Sequence, residues 1–93
     1  MIFDWDPDKE KWLKENRGMS FHYVLFHIEN DDLLDVREHP NKEKYPNQKL
    51  LIIKMNDYVY VVTYVQEQDT MFLKTIIPSR KETKRYLQWR HYN

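Results

Sequence analysis

Four basic side chains near the end of the sequence have a spacing that suits phosphate binding. They lie within six residues of one another: Arg80, Lys81, Lys84 and Arg85. Just before them, Ser79 with Glu82 has the spacing of a capping box, which predicts a helix that begins at Ser79. Backbone amides and cations at the start of a helix favour an anion. We therefore expect a phosphate site here, with a solvated terminal helix as the alternative that charge alone allows.

A second group of candidate residues lies in the polar segment HPNKEKYPNQ, residues 39–48. Its prolines and asparagines predict a loop. Histidine is the residue type best suited to general acid or base catalysis, which makes His39 a candidate, although a lone loop histidine can also have no chemical role. Tyr45 and Gln48 are placed to stack on a base or bind its edge, unless Tyr45 only packs the loop down.

The net charge of zero hides a division of the chain into two oppositely charged parts. Residues 74–93 contain six bases and one acid, and residues 1–73 contain nine bases and fourteen acids. A neutral total argues against unselective wrapping of nucleic acid. A local basic patch still attracts phosphate within a Debye length of about 10 Å.

Length and composition predict one globular domain over residues 1–93, since 41% of the residues are apolar and 15% aromatic. The sequence has no cysteine, which excludes disulfides, thiolate catalysis and cysteine-based zinc sites. His22 and His27 are five residues apart, unlike a helical metal pair, so we expect no metal and no cofactor. The acidic N-terminus has no long apolar run, and we expect a cytoplasmic protein without a membrane segment.

Turn and cap residues in the first third predict a strand followed by two helices. Residues 2–5 form a short edge strand, and a helix runs from Pro7 to Arg17 with Trp12 and Leu13 turned inward. Gly18 ends this helix in a left-handed conformation. Ser20 caps a second helix, whose apolar residues recur at helical spacing: Phe21, Val24, Leu25 and Ile28. The two helices form a hairpin with one apolar face.

The remainder predicts a strand at Leu33 to Glu38 and then three strands in meander order between Lys49 and Ile77, the first two joined through a turn at Asn56 and Asp57. Alternation along the middle strand places two sets of side chains on opposite faces, namely Val59, Val61, Thr63 and Val65 against Tyr58, Tyr60, Val62 and Tyr64. We expect the valine face to meet the helical hairpin. Tyr60 and Tyr64 would then form an RNA-stacking platform or pack beneath the terminal helix, against Leu87 and Trp89.

Three motifs in this order resemble the BrnT family (DUF497) of type II toxins. FDWDPDK is similar to that family's F-x-W-D-x-x-K start, RGMSF to its K-H-G-x-S-F, and TIIPSRKET to its R-I-I-S-A-R-x-A-T. The resemblance covers about residues 2–86. It implies an α+β, RelE-like fold in which an N-terminal helical hairpin packs on an antiparallel β-sheet with a basic C-terminal helix.

The resemblance also implies a function and partners. It implies a bacterial toxin that cleaves RNA without a metal and so inhibits translation, and that is silenced by a BrnA-like antitoxin with a DNA-binding domain. Arg80 falls on the arginine of the family's S-A-R motif, Lys81 on the next basic residue, and Lys49 on an arginine. His39 or Tyr45 would then transfer protons. Apolar surface normally covered by an antitoxin predicts a homo-oligomer in isolation.

The chain departs from the family pattern at two places. Asn16 and Arg17 stand where the family has Lys-His, and Gln66 falls at an arginine position. Losing one transition-state donor commonly costs about 100- to 1000-fold in rate. The sequence therefore allows a weak nuclease, a nuclease in which His39 or Tyr45 substitutes, a non-catalytic BrnT-like interaction module, or a small RNA- or DNA-binding protein.

Overall fold

The computed structural model describes residues 2–87, which form five strands and three helices around one sheet. The strands and helices follow in the order β1 (Ile2–Trp5), α1 (Pro7–Arg17), α2 (Phe21–Glu29), β2 (Leu33–Glu38), β3 (Gln48–Met55), β4 (Tyr58–Glu67), β5 (Thr70–Pro78) and α3 (Arg80–Tyr86). Separate helices and a largely antiparallel sheet make this an α+β fold, as predicted.

The sheet is mixed, with strand order β1-β5-β4-β3-β2. Strands β2 to β5 are antiparallel to their neighbours, whereas β1 pairs parallel to β5, with Ile2 opposite Thr70 and Trp5 opposite Leu73. The predicted antiparallel sheet is thus confirmed for β2 to β5, whereas the parallel pairing of β1 was not predicted. The helical hairpin between β1 and β2 lets the chain leave one edge of the sheet and return at the other.

Local signals fixed the ends of the helices and the hairpin turn as predicted. Gly18 adopts φ 61°, and its amide donates to the carbonyl of Leu13, which ends α1. The Ser20 hydroxyl accepts from backbone amides at the start of α2. Asn56 and Asp57 adopt φ 55° and 60°, the paired left-handed conformations of a two-residue hairpin.

The hairpin of α1 and α2 covers one face of the sheet, which we call the hairpin face. The buried cluster there combines Leu13, Phe21 and Val24 from the helices with sheet residues that include Leu51, Ile53, Val62, Tyr64 and Leu73. The hairpin thus meets the tyrosine side of β4, and the prediction that it meets the valine side was wrong. Trp12 also differs from prediction, because 43% of its surface is exposed and it lies between Lys9 and Arg17 on the outside of α1.

Helix α3 packs against the opposite side of the sheet, the α3 face. The amide of Ser79 donates to the carbonyl of Val59 at 2.9 Å, and the amide of Val59 donates to Thr83 Oγ1 at 2.9 Å. Val59 is fully buried by this contact. These two bonds place the start of α3 at the first residues of β4.

Candidate functional site: the basic face of α3

The outward side of α3 carries four exposed cations, the predicted residues Arg80, Lys81, Lys84 and Arg85, which together line one open surface cavity. We call this surface the basic face. The residues between them, Glu82 and Thr83, are buried and face the sheet. Since α3 has seven residues, the side-chain charges supply most of the positive potential, and the helix dipole adds little.

The only acid in α3, Glu82, is turned away from the basic face and held by Arg37 of β2. Arg37 Nη1 donates to Glu82 Oε2 at 2.9 Å, and Arg37 Nη2 donates to the Tyr86 hydroxyl at 2.8 Å. Arg37 Nε also donates to Asp35 Oδ2 at 2.9 Å. Because Arg37 neutralises Glu82 beneath the helix, the cations above it are left largely uncompensated.

The pairing of Arg37 with Glu82 stabilises the charged form of both side chains. The hydrogen bond from Arg37 lowers the pKa of Glu82, and the bonds to Glu82 and then Asp35 raise the pKa of Arg37. The same guanidinium lowers the pKa of Asp35. Arg85 Nε lies 3.7 Å from Glu82 Oε1, so this cation of the basic face also forms an ion pair with the acid.

Arg37 was not among the predicted site residues, and only half of the role of Glu82 was predicted. The Ser79 hydroxyl accepts from the Glu82 amide at 3.1 Å, as in a capping box. The Ser79 amide, however, bonds to Val59, so the Glu82 carboxylate does not return to the cap. A charged pair spaced i, i+2 in a strand, as Asp35 and Arg37 are, was the available signal that one side of β2 meets a polar partner.

The predicted proton-transfer residues, His39 and Tyr45, lie together in the loop after β2. Their ring centroids are 4.6 Å apart, and the Lys44 ammonium lies 5.4 Å from the Tyr45 ring centre. His39 Nδ1 accepts from the Asn41 amide at 3.0 Å, so in neutral His39 the proton is on Nε2. No hydrogen bond or ion pair within residues 2–87 joins His39 or Tyr45 to α3.

The structure divides the remaining predicted RNA-binding residues between the two faces. Gln48 pairs with Val65 on the α3 face, and its carbonyl accepts from the His39 amide at 3.3 Å. Lys49 lies in a row with Glu38 and Tyr64 on the hairpin face. Lys49 is therefore separated from the basic face by the sheet itself.

Tyr60 and Tyr64 do not form an open platform. Tyr64 is 3% exposed within the hairpin cluster, and Tyr60 packs against the same cluster. Burial raises the pKa of Tyr64. The predicted stacking of RNA on Tyr64 therefore conflicts with this fold, and so does packing beneath α3 against Leu87. Trp89, the other predicted contact, lies outside the described residues.

Comparison of the chain with protein-family models, with curated proteins and with solved structures gives no match. Within residues 2–87, no helix is long and apolar enough to cross a membrane. The same residues bring together no group of three or more His, Asp or Glu side chains that could hold a metal ion. The class that the fold itself defines is an α+β protein with a mixed five-stranded sheet.

Proposed function

We propose that this protein is a RelE-like, BrnT-type toxin that binds RNA phosphates on the basic face of α3 and cleaves RNA without a metal. The observation that carries the proposal is the inward pairing of Glu82 with Arg37, which leaves the cations of α3 exposed on one surface. Clustered Lys and Arg side chains of this kind attract a phosphate backbone. A BrnA-like antitoxin is the protein partner that we propose for it.

His39 is the residue we assign to proton transfer. In the proposed reaction the ribose 2′-hydroxyl loses its proton to water, the 2′-oxygen attacks the adjacent phosphorus, and the bond to the 5′-oxygen breaks. His39, protonated on both ring nitrogens once Nδ1 has given up its bond from the Asn41 amide, donates the Nε2 proton to that leaving oxygen and becomes neutral. It regains a proton from water for the next turnover. Arg80 and Lys81 stabilise the negative charge that accumulates on the phosphate oxygens. Tyr45, whose ring packs at a tilt against His39, holds the imidazole in place.

Topology supports a shared site for the loop and the helix. Arg37 bonds to Tyr86 in the last turn of α3, and His39 follows Arg37 by two residues. Two residues of a strand span about 7 Å. The loop therefore begins close to the point at which the end of α3 is anchored to β2.

Growth of a bacterial host after induced expression tests the proposal. We expect growth arrest and degraded RNA with the wild type, and normal growth with intact RNA for Arg80→Ala, since one lost transition-state donor costs about 100- to 1000-fold. Lys14→Ala, which removes an exposed cation from α1 on the other side of the sheet, is the matched control and should remain toxic. Undiminished toxicity of a soluble Arg80→Ala protein would contradict the site.

A second candidate function is RNA binding without cleavage. The lack of a bond between His39 and α3 among the described residues favours it, because the proton donor is then not tied to the phosphate site. Purified protein distinguishes the two candidates: cleavage products that disappear in His39→Ala support the nuclease. Intact RNA recovered from a complex with steep salt dependence supports the binding protein.

A further inference from the structure

Within residues 2–87, strand β2 forms an open edge of the sheet, because it is last in the strand order and β3 is the one strand that its backbone pairs with. The amide of His39 donates to the carbonyl of Gln48, which makes this a hydrogen-bonded pair of the antiparallel ladder. Bonded and non-bonded pairs alternate along the ladder, so the backbone N–H and C=O groups of Arg37 and Asp35 also point toward β3. The backbone groups of Val36 and Glu38 therefore point away from the sheet.

A side-chain contact agrees with this assignment. The amide of Val36 donates to Asp35 Oδ1 at 2.8 Å. It could not make this bond if it donated to a carbonyl of β3. Beside this amide the edge is apolar, since Val36 is 49% exposed and Leu33 is 37% exposed. An open edge with apolar side chains is a template for another strand.

We propose that β2 is a dimer interface, at which two copies of this chain pair antiparallel about a two-fold axis through Val36. In this arrangement the amide of each Val36 leaves Asp35 and donates to the carbonyl of Val36 in the second copy. The two sheets then become continuous across the seam. The interface is separate from the basic face and does not depend on the proposed nuclease activity.

Charge complementarity favours a second copy of this chain as the partner of β2, and it also fixes the register of the pairing. With Val36 and Glu38 facing outward, the two-fold registers that pair outward groups are centred on Asp35, Val36, Arg37 or Glu38. A centre at Glu38 places two glutamates opposite each other, which destabilises a strand pair. A centre at Asp35 places two aspartates opposite each other, and a centre at Arg37 places two arginines opposite each other, both of which destabilise a strand pair. The centre at Val36 instead places Asp35 opposite Arg37 of the second copy, twice.

The two-fold axis of such a pair is perpendicular to the sheet, so both α3 helices lie on the same side of it. Each is anchored to its own Arg37 next to the seam. The dimer would therefore present two basic faces on one surface and both helical hairpins on the other. A dimer with two basic faces on one surface would bind a longer stretch of RNA than a monomer does, and this consequence rests on the proposed function. The dimer itself does not depend on that function.

A single introduced cysteine tests the register directly, because the chain has none of its own. In the proposed dimer the two Val36 Cα atoms form a hydrogen-bonded pair about 5.5 Å apart, within the disulfide range of roughly 4.4–6.8 Å. We expect Val36→Cys to give mostly disulfide-linked dimer under mild oxidation. Leu33→Cys, on the same strand, should run as a monomer in electrophoresis without reducing agent. The two Leu33 Cα atoms of the proposed dimer lie roughly 20 Å apart.

Sedimentation equilibrium of the unmodified chain supplies the second measurement. We expect a mass of twice 11.7 kDa for the wild type and 11.7 kDa for Val36→Pro, which removes an outward amide without touching the bonds to β3. Val36→Thr keeps the amide and should still dimerise. A monomeric wild type, a dimeric Val36→Pro, equal cross-linking at Leu33→Cys, or stronger cross-linking of Asp35→Cys than of Val36→Cys would each overturn the proposal.

Discussion

The two faces of the sheet are held to their helices by different forces. On the hairpin face, α1 and α2 bury a continuous apolar cluster in which Leu13, Phe21 and Val24 are fully buried. On the α3 face fewer of the described apolar side chains are fully buried, namely Ile52 and Val59, and directed hydrogen bonds hold α3. These are the bonds of Val59 with Ser79 and Thr83 and those of Arg37 with Glu82 and Tyr86. The first face holds the fold together, and the second displays charge.

This difference indicates that one face of the sheet supplies most of the stability and the other carries the candidate site. Burial of apolar surface is non-directional and disfavours charge, and the buried acid of the hairpin, Glu10, is already bonded to the Phe21 amide and the Ser20 hydroxyl. A helix held by a few directed hydrogen bonds can leave its other side free for cations. We therefore expect substitutions on the hairpin face to act on global unfolding, and substitutions on the α3 face to act locally.

The largest effect should come from the hairpin face. Leu13→Ala removes a fully buried side chain and leaves a cavity, which costs roughly 2–5 kcal/mol in the free energy of unfolding. Urea denaturation measures it. The neighbouring exposed Lys14→Ala should change stability by no more than about 0.5 kcal/mol. Equal midpoints for the two variants would show that α1 does not share the sheet's core.

An intermediate effect should come from Arg37. Arg37→Ala leaves the Glu82 carboxylate buried without its charged donor, at a cost of roughly 2 kcal/mol. Hydrogen exchange should then show faster exchange of the amides in α3 while α1 and α2 keep their protection.

Arg85→Ala is the matched control for Arg37→Ala. Its side chain is 53% exposed and lies 3.7 Å from Glu82, so its loss should leave α3 protected. Unchanged exchange in Arg37→Ala would mean that other contacts hold α3, and the contrast between the two faces would then be wrong.

The smallest effect should appear as a pH dependence. The pKa of Glu82 is lowered by Arg37 from 4.5, so the folded state holds this proton more weakly than the unfolded chain does. The resulting stability is present above pH 4.5 and is lost as the pH falls through the lower folded pKa. Stability curves of wild type and Glu82→Gln should therefore converge on acidification. Glu15→Gln, at an exposed position on α1, should follow the wild-type curve throughout.

Much of the secondary structure was predictable because its signals are local. Gly18 ends α1, Ser20 and Ser79 begin helices, and Asn56 with Asp57 makes the hairpin turn, each through backbone preferences that act within a few residues. The predicted basic face of α3 follows from the helical spacing of its cations once the start at Ser79 is fixed.

The contacts that failed prediction are those between distant parts of the chain. Both sides of β4 are apolar enough to meet a helix, so alternation could not decide whether Val59 or Tyr64 faces the hairpin. Arg37 and Glu82 are 45 residues apart, and their pairing depends on α3 crossing to β2. Lys49 lies on the same side of the sheet as Tyr64, so its separation from the basic face also depends on which side the hairpin covers.

Strand β1 has a kinetic consequence. It pairs with Thr70 to Leu73, so the contact closes a loop over most of the described chain, whereas β3, β4 and β5 meet through short turns. Loop-closure entropy favours the nearby pairings first. The strand that is synthesised before the others is thus among the last to be paired, and the sheet is complete only after residue 73 has been made.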